Sequence, residues 1–229
     1  DTTQKNVLTI EDPFVYSLGG ISQVQVNNKK GLTFASGLRS FLRQDPDVMM
    51  VGEIRDQETG EIAIRAALTG HLVFSTVHTN DAASTITRMV DQGIEPYLVA
   101  SSLVLVIAQR LVRTICKHCI VTAPINEEWA VKLKKLGMEP SQLDGQFAYG
   151  RGCDECFNSG YAGRTAIYEF MPIDETVRTQ GMDGATASVI KRSAIERGMI
   201  TLRADGVDKV LRRQTTPDEV LRVTQIDLG

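Results

Sequence analysis

Short apolar runs alternate with longer amphipathic stretches over the first half of the chain, which is how a parallel sheet covered by helices reads in sequence. Residues 7–10 (VLTI) predict a strand that runs into Glu11, Asp12 and Pro13. Residues 21–26 (ISQVQV) alternate apolar and polar positions, as a half-exposed edge strand does. Residues 34–42 carry helical spacing, and residues 48–51 (VMMV) form the kind of continuous apolar run that parallel sheets bury. Residues 58–69 predict a helix stopped by Gly70. A further strand is expected over residues 71–76 (HLVFST) and a further helix over residues 81–90. Residues 96–112 are expected as one long helix, with proline in its first turn and an apolar surface suited to core packing.

Beyond residue 112 the pattern changes. A polar, lysine-bearing insert at residues 127–137 places Trp129, Val131 and Leu133 at helical spacing. Residues 165–170 (TAIYEF) predict a strand, and short amphipathic helices follow it. The last begins TTPDEVL, where Thr216 can cap, Pro217 takes the first helical position and Glu219 completes a capping box. No internal repeat or low-complexity tract interrupts the chain.

In an open parallel sheet, ligands bind beyond the carboxyl ends of the strands, where loops and helix N-termini converge. Three of the predicted strands end in groups capable of chemistry: Glu11 and Asp12, then Glu53, then Thr76 and His78. A carboxylate there can hold a phosphate-bound Mg²⁺ through water or orient an attacking water. Gly52 allows close backbone approach just before Glu53, and Arg39, Arg43 and Arg55 can supply positive charge to a phosphoryl group. The plainer reading makes Glu53, Arg55 and Asp56 a solvated turn with ion pairs worth little. Spacing alone leaves both open.

Composition narrows the class. The 229 residues are 42% hydrophobic and 23% charged, as in an ordinary globular protein. With 25 basic against 28 acidic side chains there is no global basic field for non-specific nucleic-acid binding. The first residues, DTTQKNVLTIEDP, lack the basic start and apolar core of a secretory signal, and the greasiest run, residues 103–108, is far shorter than the ~20 residues of a membrane helix. A cytosolic protein is expected.

All four cysteines fall in two pairs, CKHC (Cys116, Cys119) and CDEC (Cys153, Cys156), separated by 33 residues. Four thiolates in two knuckles suit a closed, structural Zn²⁺ site, and the βαβ context of a redox CxxC is lacking. Nucleic-acid binding by such a ribbon is disfavoured, because Asp154 and Glu155 oppose Lys117 and Arg151. His118 lies inside the first knuckle, where four cysteines already suffice.

Long ordered stretches then carry a resemblance. TIEDP (Thr9 to Pro13) is similar to the Asp box of the GspE/PilB family, the motor ATPases of type II secretion and type IV pilus assembly. LRQDPDVMMVGEIRD (Leu42 to Asp56) resembles that family's atypical Walker B segment. TGHLVFSTVHTNDA (Thr69 to Ala82) resembles its His box, and AQRLVR (Ala108 to Arg113) leads into the tetracysteine motif as it does there.

The resemblance implies a RecA-like P-loop NTPase core with an incomplete parallel sheet and flanking helices, an inserted Cys₄ zinc subdomain and a C-terminal helical subdomain. The corresponding segments are residues 1–112, 113–160 and 161–229. It implies Mg²⁺-dependent ATP hydrolysis by a homohexamer at the cytoplasmic face of the inner membrane, working on platform and cytoplasmic-ring proteins, with nucleic acid not expected as a partner. It assigns Glu53 as the Walker B acid, Glu11 and Asp12 to metal and water, His71 and His78 to sensing nucleotide state, and Arg39, Arg43 and Arg55 to phosphate or neighbouring subunits. The tetracysteine motif favours secretion or pilus extension over retraction.

Two departures stand out. EDPFVY places Val15 where many members have a second glutamate, and GxxxxGK[ST] is absent from the chain. The latter predicts a fragment of a longer protein, with weak ATP binding or none by itself. The alternative to a motor is a zinc-stabilised module that docks to the membrane platform without chemistry, and a RecA-like nucleic-acid motor stands third.

Overall fold

The computed structural model describes residues 2–224. The chain divides into two compact units, the first being Asp1–Thr79, Ala83–Val106 and Pro172–Ser193, and the second Asn80–Ala82, Ile107–Met171 and Ala194–Gly229.

The first unit is built on a parallel sheet. Its strands are β1 (Val7–Glu11), β2 (Ser22–Gln25), β3 (Val48–Val51) and β4 (Leu72–Ser75), in the spatial order β2-β1-β3-β4. Helices α1 (Phe34–Phe41) and α2 (Gln57–Leu68) form the crossovers on either side of β3. Leu8 and Ile10 of β1 and Met49 and Val51 of β3 are buried, as are Leu38 and Phe41 of α1. Packing is tight enough that a Cβ on Gly37 would lie 2.1 Å from Cδ1 of Ile10.

Local chemistry fixes where these elements start. Thr33 and Ser36 cap α1 reciprocally. Asp56 caps α2, accepting from the Thr59 N–H at 2.9 Å and from its hydroxyl at 2.9 Å, which is a structural task for one acid of the Walker B-like stretch. The acid just ahead of β3 is also structural: Asp47 accepts from the Asn6 N–H at 2.7 Å, and its own N–H donates to the Asn6 carbonyl at 2.9 Å. That clasp sets β1 and β3 in register at their amino ends.

The expected helix over 96–112 is corrected. Helix α3 (Ala83–Asp91) is followed by α4 (Pro96–Ser102), which is short, and the chain then turns extended at Leu103 and enters β5 (Leu105–Ile115), an eleven-residue strand. Burial along β5 nearly alternates, with Val106, Ala108 and Val112 inside. Leu105, Ile107 and Leu111 lie outside and apolar, which hides the period of two, while the β-branched residues favour the strand.

In the second unit β5 pairs with β8 (Tyr161–Pro172), and β6 (Ile120–Pro124) pairs antiparallel with β7 (Gln146–Gly150). Helix α5 (Glu127–Lys135) lies between β6 and β7 in sequence. After β8 come α6 (Glu175–Met182), of the first unit, α7 (Ala187–Glu196), which passes from the first unit to the second after Ser193, and then α8 (Leu202–Leu211) and α9 (Pro217–Val223). Leu133 of α5 shares one apolar cluster with Met138, Val210 and Val220. The insert between the cysteine pairs therefore packs on the C-terminal helices.

Thr216 caps α9 as expected, but Glu219 is not used to complete a capping box. Its carboxylate, 1% exposed, accepts from the Arg113 N–H at 2.8 Å, Arg113 Nη2 at 2.7 Å, Arg222 Nε at 2.9 Å and Arg222 Nη2 at 2.8 Å. Burial alone would raise this carboxyl; the bonds from Arg222 and Arg113 outweigh it and hold it at about 2, against an ordinary 4.5. The folded state thus binds the proton more weakly than the unfolded chain, so this stabilisation is complete above about pH 4.5 and drains away as pH falls toward 2. Glu219→Ala is expected to cost about 2–3 kcal/mol. In Glu219→Gln, melting followed from pH 6 down to pH 2 should lose this part of the acid dependence; an unchanged profile would contradict the assignment.

Candidate functional site

Strands β1, β3 and β4 are consecutive neighbours, so the three chemically loaded strand ends lie side by side, each about 4.8 Å from the next. Pairing continues past the strands. The Gly52 N–H donates to the Ile10 carbonyl at 2.8 Å, the Ile54 N–H to the Thr76 carbonyl at 3.0 Å and the Thr76 hydroxyl to the Gly52 carbonyl at 2.6 Å. Residue 52 is glycine for a local reason: a Cβ there would sit 3.3 Å from Cα of Glu11, so the close approach is by β1 itself.

Glu53 projects from this rim with a side chain only 11% exposed. Its Oε1 pairs with the Arg55 guanidinium and its Oε2 lies 3.2 Å from Nε2 of His78. Both partners are themselves largely exposed, at 63% and 83% of the side chain. A buried carboxylate is therefore held by two groups that stand largely in solvent. Glu11 is half-buried, its Oε1 accepting from the Thr9 hydroxyl at 2.6 Å and from Gln23 Nε2 at 3.2 Å. Asp12 is exposed one residue on, before Pro13, and Val15 is exposed in the loop that follows.

The other candidates are placed elsewhere. His71 precedes β4, at its amino end, so the length of the strand separates it from His78. Its Nδ1 lies 2.9 Å from the Ala66 carbonyl and 3.2 Å from the Thr69 hydroxyl, closing the C-terminus of α2. Arg39 pairs with Glu58 across α1 and α2, and Arg43 touches Ser40 Oγ at 3.5 Å. Of the three arginines, Arg55 alone contacts a strand-end acid among the described residues. Gln23, the donor to Glu11, escaped the sequence reading because an edge strand exposes polar residues anyway.

Cys116, Cys119, Cys153 and Cys156 bring their sulfurs within 4.8 Å of one another. Sγ separations are 3.9 Å for Cys116–Cys153, 3.8 Å for Cys119–Cys156 and 3.7 Å for Cys153–Cys156. Four sulfurs each about 2.3 Å from zinc form a tetrahedron with edges of about 3.8 Å, so the donor set fits Zn²⁺ in both type and spacing. Backbone N–H groups of Gly152, Cys153 and Gly160 point at these sulfurs from 3.3 Å, as the shell around bound thiolates requires. Burial pushes the Cys153 thiol up to about 12; at Cys156 burial acts in the same direction, but the N–H donors of Cys153 and Gly160 outweigh it and bring the thiol to about 6. The cradle closes on glycine: a Cβ on Gly150 would lie 1.9 Å from the Gly160 carbonyl oxygen.

Comparison with known proteins gives the family. The family model "Type II/IV secretion system protein" matches residues 1–222. This chain belongs to that family. Type II secretion system protein E of Aeromonas hydrophila is 51% identical over 227 residues, covering 99% of this chain and 44% of that protein. The type IV pilus assembly ATPase PilB of Thermus thermophilus is 50% identical over 224 residues, covering 97% of this chain and 25% of that protein. The chain thus spans less than half the length of these GspE/PilB relatives. The solved pilus retraction motor PilT with bound ADP matches with a TM-score of 0.66 at 26% identity over 96% of this chain and 52% of that one. Among the described residues no helix of this family member is long and apolar enough to cross a membrane.

If zinc organises the knuckles, metal analysis of the purified protein should find one zinc per chain, lost in Cys156→Ser. Chelation should then open the segment over residues 113–160 to protease before the parallel sheet. Cleavage within the sheet first would contradict this.

Proposed function

We propose that this chain is part of an ATP-hydrolysing motor of type II protein secretion or type IV pilus extension, with Glu53 as its catalytic carboxylate. One observation carries the reading: a buried glutamate at the rim of a parallel sheet, held between Arg55 and His78, with Glu11 and Asp12 on the adjoining strand end. The oxygen donors of Glu11, Asp12 and Glu53 suit Mg²⁺. Bound Mg²⁺ and ATP supply the phosphoryl group and the charge that neutralises it.

The chain's own residues then have distinct tasks. Glu53 orients the attacking water and accepts its proton. Arg55 exchanges the carboxylate for phosphate oxygen, and His78 follows Glu53 and so senses which partner the acid has. Glu11 and Asp12 would hold the water shell of a bound Mg²⁺, Glu11 being steadied by Thr9 and Gln23. Arg39, Arg43 and His71 are left to α1, α2 and contacts outside this rim. The phosphate loop comes from outside these 229 residues.

Zn²⁺ at the four cysteines is structural. The parent protein works as a homohexamer in the cytoplasm, against the platform and ring proteins of the inner membrane. Identity near 50% to a secretion ATPase and to PilB, together with the cysteine cluster, supports secretion or extension over retraction.

In the full-length protein, Glu53→Gln should keep ATP binding and lower kcat by about 10²-fold or more. Turnover equal to that of the unaltered protein would remove Glu53 from the chemistry and favour a zinc-stabilised docking module.

A further inference from the structure

Along β8 the buried positions are Ile167, Glu169 and Met171, so a carboxylate occupies the middle of an apolar row. Glu169 is 1% exposed. Within the second unit its Oε1 accepts from the Ala82 N–H at 2.8 Å and its Oε2 from the Leu202 N–H, the first residue of α8, at 3.2 Å. An apolar residue there would bury without the cost of desolvating a charge, so this row is not optimised for packing alone.

The Ala82 bond has a particular consequence. Ala82 is fully buried, and two residues earlier Arg110 Nη2 donates to the Asn80 carbonyl at 3.2 Å. The segment Asn80–Ala82 is thus clasped at both ends inside the second unit, whereas the chain before it, through Thr79, and after it, from Ala83, belongs to the first. His78 lies four residues before Ala82, and four residues span at most about 14 Å when fully extended. The loop that brings His78 to Glu53 therefore ends in a segment held by Arg110 at Asn80 and by Glu169 at Ala82.

We propose that Glu169 is a positioning residue for the Glu53 centre: by holding Ala82 it governs whether His78 reaches the catalytic carboxylate. This rests on the ATPase reading above.

The test is a double-mutant cycle in the full-length protein with Glu169→Ala, His78→Ala and both, beside Glu53→Gln. Glu169→Ala should lower kcat about tenfold with little change in the KM for ATP, and the double variant should be no slower than the slower single variant. Amide exchange over residues 76–82 should rise in Glu169→Ala and partly return in Glu169→Gln, which keeps one acceptor. Where Glu169→Ala does not hold its fold, Glu169→Gln carries the same cycle. Effects that multiply in the double variant, a silent His78→Ala, or unchanged exchange over 76–82 would each overturn the proposal. Failure of the ATPase reading is seen separately, as unimpaired turnover in Glu53→Gln, while the exchange measurement still reports on the clasp.

Discussion

A charged group taken out of water must be paired, and that requirement organises the centre of this protein. Glu53 sits 11% exposed at the end of β3, and it can do so because β4 runs parallel beside β3 and returns His78 to the same rim, with Arg55 two residues on. Each step depends on the one before. The Asn6–Asp47 clasp fixes the register of β1 and β3, Gly52 lets β1 pass close, and Thr76 ties the chain leaving β4 to the chain leaving β3. A shift of one residue in β3 would turn Glu53 away from its partners.

The second unit meets the same rule with less apolar material. Its core around Leu133 and Val220 is supplemented by polar anchors: Glu219 with two arginines, Glu169 with two backbone N–H groups, and four cysteines placed for a metal. Each ties together segments far apart in sequence. Small folds commonly supplement a limited core in this way.

Much of this was legible in the sequence where one signal dominated. VMMV is continuous and short, and it is β3; TTPDEVL carries cap and proline together, and it begins α9; the cysteine spacing found its cluster. Legibility failed where two periods overlap. Residues 103–108 are apolar on both faces, so their pattern fits the end of a helix as well as the strand they form. Histidines seven residues apart read as one box, yet the strand between them puts His71 at the amino end of β4 and His78 beyond its carboxyl end. Glu219 was readable as a cap but not as the partner of Arg113, since 106 residues separate them. Glu169 did leave a trace, a charge at a buried position of an alternating strand, which only gains meaning once Ala82 is beside it.

The central claim is that Glu53 faces the reacting phosphate. The most direct measurement is a structure of the full-length protein with Mg²⁺ and a non-hydrolysable ATP analogue. The account predicts the Glu53 carboxylate within reach of a water in line with the γ-phosphate, with Arg55 transferred to phosphate and Glu11 and Asp12 on the metal side. A bound nucleotide whose γ-phosphate lies beyond the reach of one water from Glu53, with the carboxylate still locked to Arg55 and His78, would contradict it.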